Sequence, residues 1–546
     1  MNVEKKDTPF SPIQSLNPDL LWLIFELNTT QDSTSDSVFG LSSNSTSSSQ
    51  STIPAIVTTR NTSQVCTSWR NILLESSSLW GRLIDLDMLD QPTNHWRNEI
   101  LRRAGSAYLW ITGNILGTTE QSTHVRTFFF SIIGDRDCWN RIQRIIVYLD
   151  ILDISDERWK ALCNRAPNLE IFKVTNPWAM DLTTPMFYSP PSSSSRHGTL
   201  FGNDAPSLRT FDADQIYFGH NASWLSHLRH IRFQAWFPPS HIITLLPAMP
   251  HLESLRYSHI FQKLDGGPVD NSANSLPCIH LPNLTMLYLE VQLGDLLLIM
   301  EHLTPAPGCA LSISVDDTLA EYTPAPAPQA LSKYTRSYFA IHPPKNLYFE
   351  FSGKAFTFED MGEGNTTFYI RIYSWTGISQ DLGFLLLDSL RQPPSSPPYF
   401  NSLSTLILDL SHNPQTSPLF SNLMTVLEAM PSVTTLRTSS ESLQVLLGLE
   451  SPTNPDNPGR SVLFPMLRTI EIIFINLNGD RSTDYDGILP FLLRRQSAGL
   501  PISLLDFTKC QSYRLQHIDV LNGLNGLIIR WKRGKKDVEY VCGSQV

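Results

Sequence analysis

The sequence has few cysteines, and their spacing excludes the usual cysteine-based architectures. Its 546 residues include seven cysteines, at 66, 138, 163, 278, 309, 510 and 542, and no two are closer than 25 residues. An odd number without a C-x-x-C pair indicates neither a disulfide framework nor a zinc site. We therefore expect an intracellular protein, cytoplasmic or nuclear or both, that needs no metal and no other cofactor.

Charged residues and long apolar runs are also scarce. Only 17% of the residues are charged, and the formal net charge is −10. Broad nucleic-acid binding would need the opposite balance of charge. No uncharged apolar stretch reaches the roughly 18 residues of a membrane-spanning helix, and the early run 20–25 lies between Asp19 and Glu26 without a small-residue cleavage site. The sequence thus predicts neither a nucleic-acid partner, nor a membrane partner, nor a signal peptide.

The motifs of common enzyme classes are missing as well. The chain has no G-x-G-x-x-G, no G-x-x-x-x-G-K, no H-E-x-x-H and no G-x-S-x-G. His227 and His230 stand three apart but fall in a predicted strand, and the adjacent Asp316 and Asp317 would point to opposite faces of another. We therefore predict no catalytic residue and a non-enzymatic role. A deep pocket with converging polar groups would favour the rival hypothesis, an enzyme with an unrecognised site.

Apolar residues, by contrast, make up 41% of the chain, which is enough for a sizeable core. At about 150 residues per domain, this length corresponds to roughly three to four domains or to one elongated repeat array. Residues 1–12 are predicted to be disordered. A helix is predicted over 13–27, with Asn17 as its N-cap and Pro18 in its first turn. In 29–52, 15 of 24 residues are Ser or Thr, which predicts a flexible loop.

Order is predicted to resume near residue 62. Val65, Cys66 and Trp69 share one helical face, and Trp80 follows a Ser-rich turn. The segment 89–140 is interpreted as a connection made of a helix over 95–104, ended by Gly105, and a strand over 108–115.

A recurring frame dominates the rest of the chain: an apolar residue, often Pro, then x-L-x-x-L-x-apolar. Its first aliphatic residue falls at Leu169, Leu208, Leu228, Leu252, Leu284, Leu403, Val433 and Leu467. The spacings range from 20 to 119 residues, and the strand-like segments 309–315, 346–351 and 367–373 could subdivide the longest gap. Helical stretches are predicted between these strands, at 156–166, 241–249, 294–303, 422–430 and 486–496. Strands alternating with helices at such a period predict a stacked solenoid over 141–530. The alternative is an ordinary α/β domain with coincidental Leu spacing.

The C-terminal segment 531–546 is predicted as a basic strand and tail. RWKRGKK (530–536) holds five basic residues in seven. LIIRW and DVEYV flank it, which favours a hairpin over a nuclear address or an anion-binding patch.

The N-terminal segments have the features of a known family. IQSLNPDLLWLIFEL followed by TSQVCTSWRNILLESSSLWGRLIDL resembles an F-box of the kind common in mushroom-type fungal proteins, which assigns 13–88 to an F-box-like domain with the Ser/Thr-rich insert 29–52. The repeat frame resembles an irregular leucine-rich repeat. The expected fold is therefore α+β: a small all-α F-box followed by an irregular α/β leucine-rich-repeat-like solenoid.

The F-box resemblance implies a role in protein ubiquitination. F-box proteins dock on the Skp-type adaptor of a cullin–RING (SCF-type) ubiquitin ligase, while a separate domain holds the target. Carried over position by position, the residues that would form the docking surface or the box core are Leu16, Pro18, Leu20, Ile24, Val65, Cys66, Trp69 and Trp80. Trp69 and Trp80 would be the strongest docking anchors because they are large and apolar. The alternative is that all eight form the core of an unrelated small helical domain.

The repeat resemblance implies a second contact, with a protein target whose identity the sequence does not give. In a leucine-rich strand the residues that flank the inward aliphatic ones face the concave surface. This nominates Lys173, Asp212, Arg232, Arg256, Tyr288, Ile407, Arg437 and Glu471. Their mixed charges favour a protein over a phosphate backbone. The expected function is a substrate-recognition adaptor that tethers its target to a ligase; the alternative is a repeat scaffold without ligase association.

Overall fold

The structure of the protein, a computed structural model, divides into two compact units. Unit 1 comprises 1–237 and 245–252, and unit 2 comprises 238–244 and 253–546. The residues that the structure describes are 16–30, 53–115, 120–149, 157–175, 199–213, 216, 218–234, 237–259, 276–317, 327–362, 368–375, 377–391, 399–411, 419–450, 462–473, 487–510, 518–534 and 536–543. The predicted disordered segment 1–12 and most of the insert 29–52 lie outside them. The fold is mixed α/β, with a mostly parallel sheet that is not closed.

Unit 1 begins with helices and continues with a parallel sheet. Its helices are α1 (Pro18–Thr30), α2 (Ala55–Thr62), α3 (Thr67–Glu75), α4 (Ser77–Gly81), α5 (His95–Ala104), α6 (Glu120–Gly134) and α7 (Arg136–Trp139). Its strands are β1 (Ile84–Asp85), β2 (Leu109–Ile115), β3 (Ile142–Leu149), β4 (Ile171–Thr175), β5 (Thr210–Ala213) and β6 (His230–Phe233). Each strand pairs in parallel with the next one in sequence. The 156–166 stretch forms a 3₁₀ turn at Glu157–Cys163 rather than an α-helix.

Local sequence explains where these helices begin and end. The backbone N–H of Asp19 donates to Oδ1 of Asn17 at 3.0 Å, which confirms the predicted N-cap of α1. The Cys66 thiol caps α3 by accepting from the Trp69 N–H at 3.5 Å. Helix α5 spans the predicted residues and ends at Gly105, whose φ of 51° suits glycine. Helix α2 was not predicted, because only Ile56 and Thr59 of its eight residues are buried and its apolar pattern is weak.

Unit 2 contains the larger set of elements. Its helices are α8 (Pro239–Leu245, of which 239–244 belong to this unit), α9 (Leu293–His302), α10 (Ala327–Phe339), α11 (Gln380–Leu390), α12 (Phe420–Glu428), α13 (Ser440–Glu450) and α14 (Ile488–Ser497). Its strands are β7 (Ser254–His259), β8 (Ile279–Leu281), β9 (Met286–Val291), β10 (Leu303–Pro305), β11 (Ala310–Asp317), β12 (Asn346–Phe351), β13 (Ala355–Asp360), β14 (Phe368–Ser374), β15 (Thr405–Leu410), β16 (Thr435–Thr438), β17 (Thr469–Ile472), β18 (Leu504–Asp506), β19 (Ile528–Arg533) and β20 (Lys536–Val541).

The strands of unit 2 do not all follow the order of the chain. Their spatial order is β7–β9–β11–β14–β13–β12–β15–β16–β17–β18–β19–β20, while β8 and β10 form a separate pair. After β11 the chain passes through α10 to β12 and then returns through β13 and β14 to the side of β11. In a strict solenoid each strand would lie beside the next one. The predicted strands at 309–315, 346–351 and 367–373 are present as β11, β12 and β14. However, β13 lies antiparallel between β12 and β14, so these strands do not stack as successive repeats.

Alternation along the strands gives the sheet of unit 2 two different faces. In β12, for example, Leu347, Phe349 and Phe351 are buried, whereas Tyr348 and Glu350 are half-buried. Helix α9 packs on β9 and β11, and α13 packs on β15. We call the opposite side, where Tyr348 and Glu350 lie, the polar sheet face. The C-terminal hairpin is confirmed: β19 and β20 pair antiparallel around Gly534, whose φ is 69°.

Candidate functional site

Helices α1, α3 and α4 share a small core. Leu21, Phe25, Leu73 and Leu79 are buried together, and the ring of Trp69 meets that of Phe25 edge-on at 5.3 Å between centroids. Leu16 is half-buried against the same cluster. So few buried side chains give these helices a modest core of their own.

Helix α1 also presents apolar side chains that this core does not bury. Leu20, Leu23 and Ile24 expose 50%, 47% and 44% of their surface, and Leu27 exposes 68%. We call Leu20, Leu23 and Ile24 the α1 stripe. Val65, just before α3, is 61% exposed. A surface helix normally shows one apolar face, so a second apolar stripe marks a surface suited to a protein partner.

The structure divides the eight predicted box residues between surface and core. Pro18, Leu20, Ile24 and Val65 are exposed. Leu16, Cys66 and Trp69 are half-buried. Leu23 belongs to the apolar pattern of the predicted helix but was not among the eight nominated residues, although it lies three residues after Leu20 and is as exposed as Leu20 and Ile24.

Trp80 requires a correction. Only 2% of it is exposed, and its indole N–H donates to the Leu73 carbonyl at 2.7 Å. Its ring also meets that of Trp96 edge-on and lies 4.4 Å from the Arg103 guanidinium. An indole whose N–H is satisfied internally and whose ring is covered on several sides is a core residue. It is therefore not the docking anchor that its size suggested.

A chain of polar contacts ties α1 to the sheet of unit 1. Glu26 of α1 forms a 2.7 Å ion pair with Arg82, and the Arg82 guanidinium lies 4.6 Å from the centre of the Trp110 ring on β2. Arg144 of β3 lies 3.9 Å from the same ring. These contacts hold the α1 helix in a defined orientation relative to β2 and β3.

The three predicted target-binding residues of unit 1 lie side by side across three strands. Lys173 is in register with Asp212, and Asp212 with Arg232. Asp212 is only 7% exposed, and one of its carboxylate oxygens lies 3.4 Å from Arg232 Nη1. Because it is buried and engaged by its neighbour, Asp212 has little surface to offer a target, which corrects its nomination.

The predicted residues of unit 2 also share a register row on the polar sheet face. Arg256 is in register with Tyr288, and its guanidinium lies 4.2 Å from the centre of the tyrosine ring. Ile407 is in register with Arg437, and Arg437 with Glu471. A 2.8 Å ion pair joins Arg437 to Glu471, and Lys509 lies 2.6 Å from the same carboxylate. The charges nominated at this end of the row therefore neutralise one another.

Between those two groups the same row continues through residues that the sequence reasoning missed. From Tyr288 it passes to Ser312, Tyr369, Glu359 and Tyr348, and then reaches Ile407. In the next row of the same face, Glu350 is in register with Asp409. We call Tyr348, Tyr369, Glu350, Glu359 and Asp409 the tyrosine–carboxylate patch. In the segments NLYFEF and TLILDL, tyrosine and acidic residues alternate with apolar ones, and this alternation could have placed them on the exposed face of a strand.

The patch concentrates negative charge in a half-buried place. Burial, together with the charges of Glu350 and Glu441, raises the pKa of Asp409 above its usual range. Burial and the neighbouring Asp360 likewise raise the pKa of Glu359. The Tyr348 hydroxyl donates to Glu350 at 3.2 Å, and burial and the surrounding carboxylates raise the pKa of this phenol. Within the described residues, no lysine or arginine forms an ion pair with Glu350, Glu359 or Asp409.

The described part of the chain lacks the features of two other kinds of site. It contains no cluster of three or more His, Cys, Asp or Glu side chains arranged to hold a metal ion. None of its helices combines the length and apolar character needed to cross a bilayer. Compared with protein-family models and with curated proteins, the chain matches none of them.

Proposed function

We propose that this protein is a substrate-recognition adaptor of a cullin–RING ubiquitin ligase, with α1 to α4 docking on the Skp-type adaptor and the sheet binding a protein target. The observation that carries the proposal is the α1 stripe, three large apolar side chains that are each about half exposed. Together with the F-box resemblance of 13–88, this stripe supports the proposal that the adaptor covers this surface of α1.

The energetics favour such a contact. Covering the exposed half of a leucine or isoleucine contributes about 1 kcal/mol, so the three stripe residues together contribute a few kcal/mol. The neighbouring Val65 adds to the same kind of surface. A helix laid into an apolar groove of the partner is the form of contact that spaced apolar residues on one helix support.

The proposed mechanism is tethering rather than chemistry in this chain. Holding a target and a ligase component at the same time raises the local concentration of one near the other. The contacts from Glu26 through Arg82 to Trp110 would keep the docking helix fixed to the sheet of unit 1. No bond-breaking group in this protein is needed for that role.

Capture of a purified fungal Skp-type adaptor by the full chain tests the docking. Leu23→Glu places a charge in the stripe and should weaken adaptor binding by about tenfold or more. Leu493→Glu on α14 is the matched control, because Leu23 and Leu493 are each 47% exposed. The control should bind the adaptor as well as the wild type.

Two results would contradict the proposal. Equal binding by wild type and Leu23→Glu would show that the stripe is not the contact. If the wild type captures no adaptor at all, the remaining candidate is a target-binding scaffold without ligase association, which the row of partly exposed side chains on the polar sheet face supports.

A further inference from the structure

We infer that the tyrosine–carboxylate patch binds an arginine- or lysine-rich segment of the target protein. This inference rests on the target-binding part of the proposed function, since it assigns that role to a defined region of unit 2 and gives the chemistry of the partner. It does not depend on adaptor docking.

The first argument is placement. Glu359 lies directly opposite Tyr348 on the neighbouring strand, and Asp409 lies opposite Glu350. Adjacent strands are about 4.8 Å apart, and residues two apart along a strand are about 6.6 Å apart. From Tyr348, Glu359 is therefore one strand spacing away, Glu350 is one side-chain repeat away, and Asp409 lies diagonally across from it. The charges of all three act on the Tyr348 phenol, and all three lie on the face opposite α9 and α13.

The second argument is that the carboxylates of the patch are not neutralised by a cation within the described residues. Arg371 is the nearest cation in the row of Glu350, but its hydrogen bond goes to the Tyr369 hydroxyl. Thr357 donates to Glu350 at 2.9 Å, which orients that carboxylate without neutralising it. Half-buried carboxylates without a cation destabilise the unit that carries them, and a cationic partner would relieve that cost.

The third argument is the chemistry of the occupant. Guanidinium and ammonium groups pair with carboxylates and also pack over tyrosine rings, so the patch offers both of the contacts they favour. The protein already contains this arrangement 4.2 Å apart in Arg256 and Tyr288 on the same face. Nucleic acid and anionic membranes would be repelled, and no metal-binding cluster is present among the described residues. A basic protein segment is thus the partner that fits.

The test is a binding titration of the full chain with a fluorescent peptide in which arginine alternates with serine. The matched peptide has glutamine in place of arginine. We expect saturable binding of the arginine peptide, weakened at high salt, and no binding of the glutamine peptide. Asp409→Asn should weaken binding by about tenfold, because it removes a charge and keeps the shape of the side chain.

Asp388→Asn is the matched control variant, since it makes the same chemical change at an exposed aspartate of helix α11, outside the patch. It should bind the arginine peptide like the wild type. Equal binding of both peptides would overturn the inference, and so would equal affinity of wild type and Asp409→Asn. The titration contains no Skp-type adaptor, so its failure would leave the docking proposal intact, and a failed adaptor capture would leave this result intact.

Discussion

Two regions of the polar sheet face in unit 2 both carry carboxylates, but only one of them pairs its carboxylates with cations. Across β16 to β20, Arg437 and Lys509 neutralise Glu471, and Arg530 lies 3.8 Å from Asp506 and 2.7 Å from Glu539. In the tyrosine–carboxylate patch, across β12 to β15, the carboxylates form no ion pair with a lysine or arginine in the described part of the chain. The carboxylates of the first region are neutralised within the protein, whereas we infer that a bound partner neutralises those of the patch.

The helices of unit 1 show the same distinction for apolar groups. Trp80 is enclosed, with its indole N–H satisfied by Leu73, whereas Leu20, Leu23 and Ile24 remain about half exposed. Size alone suggested the tryptophan as the anchor. Exposure identifies the leucines and the isoleucine instead, because only surface that is still in contact with water can gain from being covered.

The largest stability effect is expected where charges are paired. Glu471→Gln should lower the free energy of unfolding by about 1 kcal/mol, since Arg437 and Lys509 lose a shared carboxylate that is only 16% exposed. Urea titration of the purified variant measures this. An unchanged unfolding midpoint would show that the ion pairs of Glu471 do not stabilise the protein, and the contrast between the two regions would be lost.

In the patch, removing a carboxylate charge is expected to raise the free energy of unfolding rather than lower it. Asp409→Asn should raise the free energy of unfolding by about 0.5 kcal/mol, because it removes repulsion from Glu350 and Glu441 and a charge that burial disfavours. The same urea titration applies. A loss of stability would mean that the Asp409 charge is neutralised in solution, and the patch would then resemble the region across β16 to β20. A gain in stability together with weaker peptide binding is a combination that a purely structural residue would not produce.

The smallest effect is expected from pH. The pKa values of Asp409 and Glu359 are raised, so the folded state holds more protons than the unfolded state between their ordinary and raised values. The contribution of these groups to stability therefore rises as the pH falls from neutral through their folded pKa values. Binding of the arginine peptide should weaken over the same range, because its carboxylate partners become neutral.

Peptide titrations at pH 7 and pH 5 check this, with Asp409→Asn as the comparison. The variant should show a smaller loss of affinity than the wild type, since one of the titrating groups is gone. Equal losses in the two proteins would place the pH-sensitive group outside the patch.

The strands were more predictable than the helices, since α6, α10, α11 and α13 were not among the predicted helices, and the order of the strands was less predictable than their positions. The Leu-x-x-Leu frame identified β4 to β7, β9 and β15 to β17, in which apolar residues at alternate positions are buried. Strand β13 was missed: four of its six residues, Ala355 to Phe358, are buried in succession, so it lacks an alternating pattern. Helix α2 was missed because few of its residues are apolar.

Alternation marked single members of the patch, but their grouping could not be predicted because they come from separate strands in an order that the chain does not follow. Glu350 and Asp409 are 59 residues apart in sequence but opposite one another in the sheet. Their proximity depends on the return of the chain through β13 and β14. In the same way, the pairing of Arg437 with Lys509 through Glu471 could not be inferred from residue types alone, because it requires the register of three strands and the turn after β18.

Hydroxyl-radical footprinting of the full chain, alone and with a purified Skp-type adaptor, tests the central proposal most directly. It measures how accessible each side chain is, and so it reads out the α1 stripe itself. The account predicts that labelling of Leu20, Leu23 and Ile24 falls strongly when the adaptor binds, while labelling of Leu493 does not change. Adaptor binding with undiminished labelling of the stripe would contradict it.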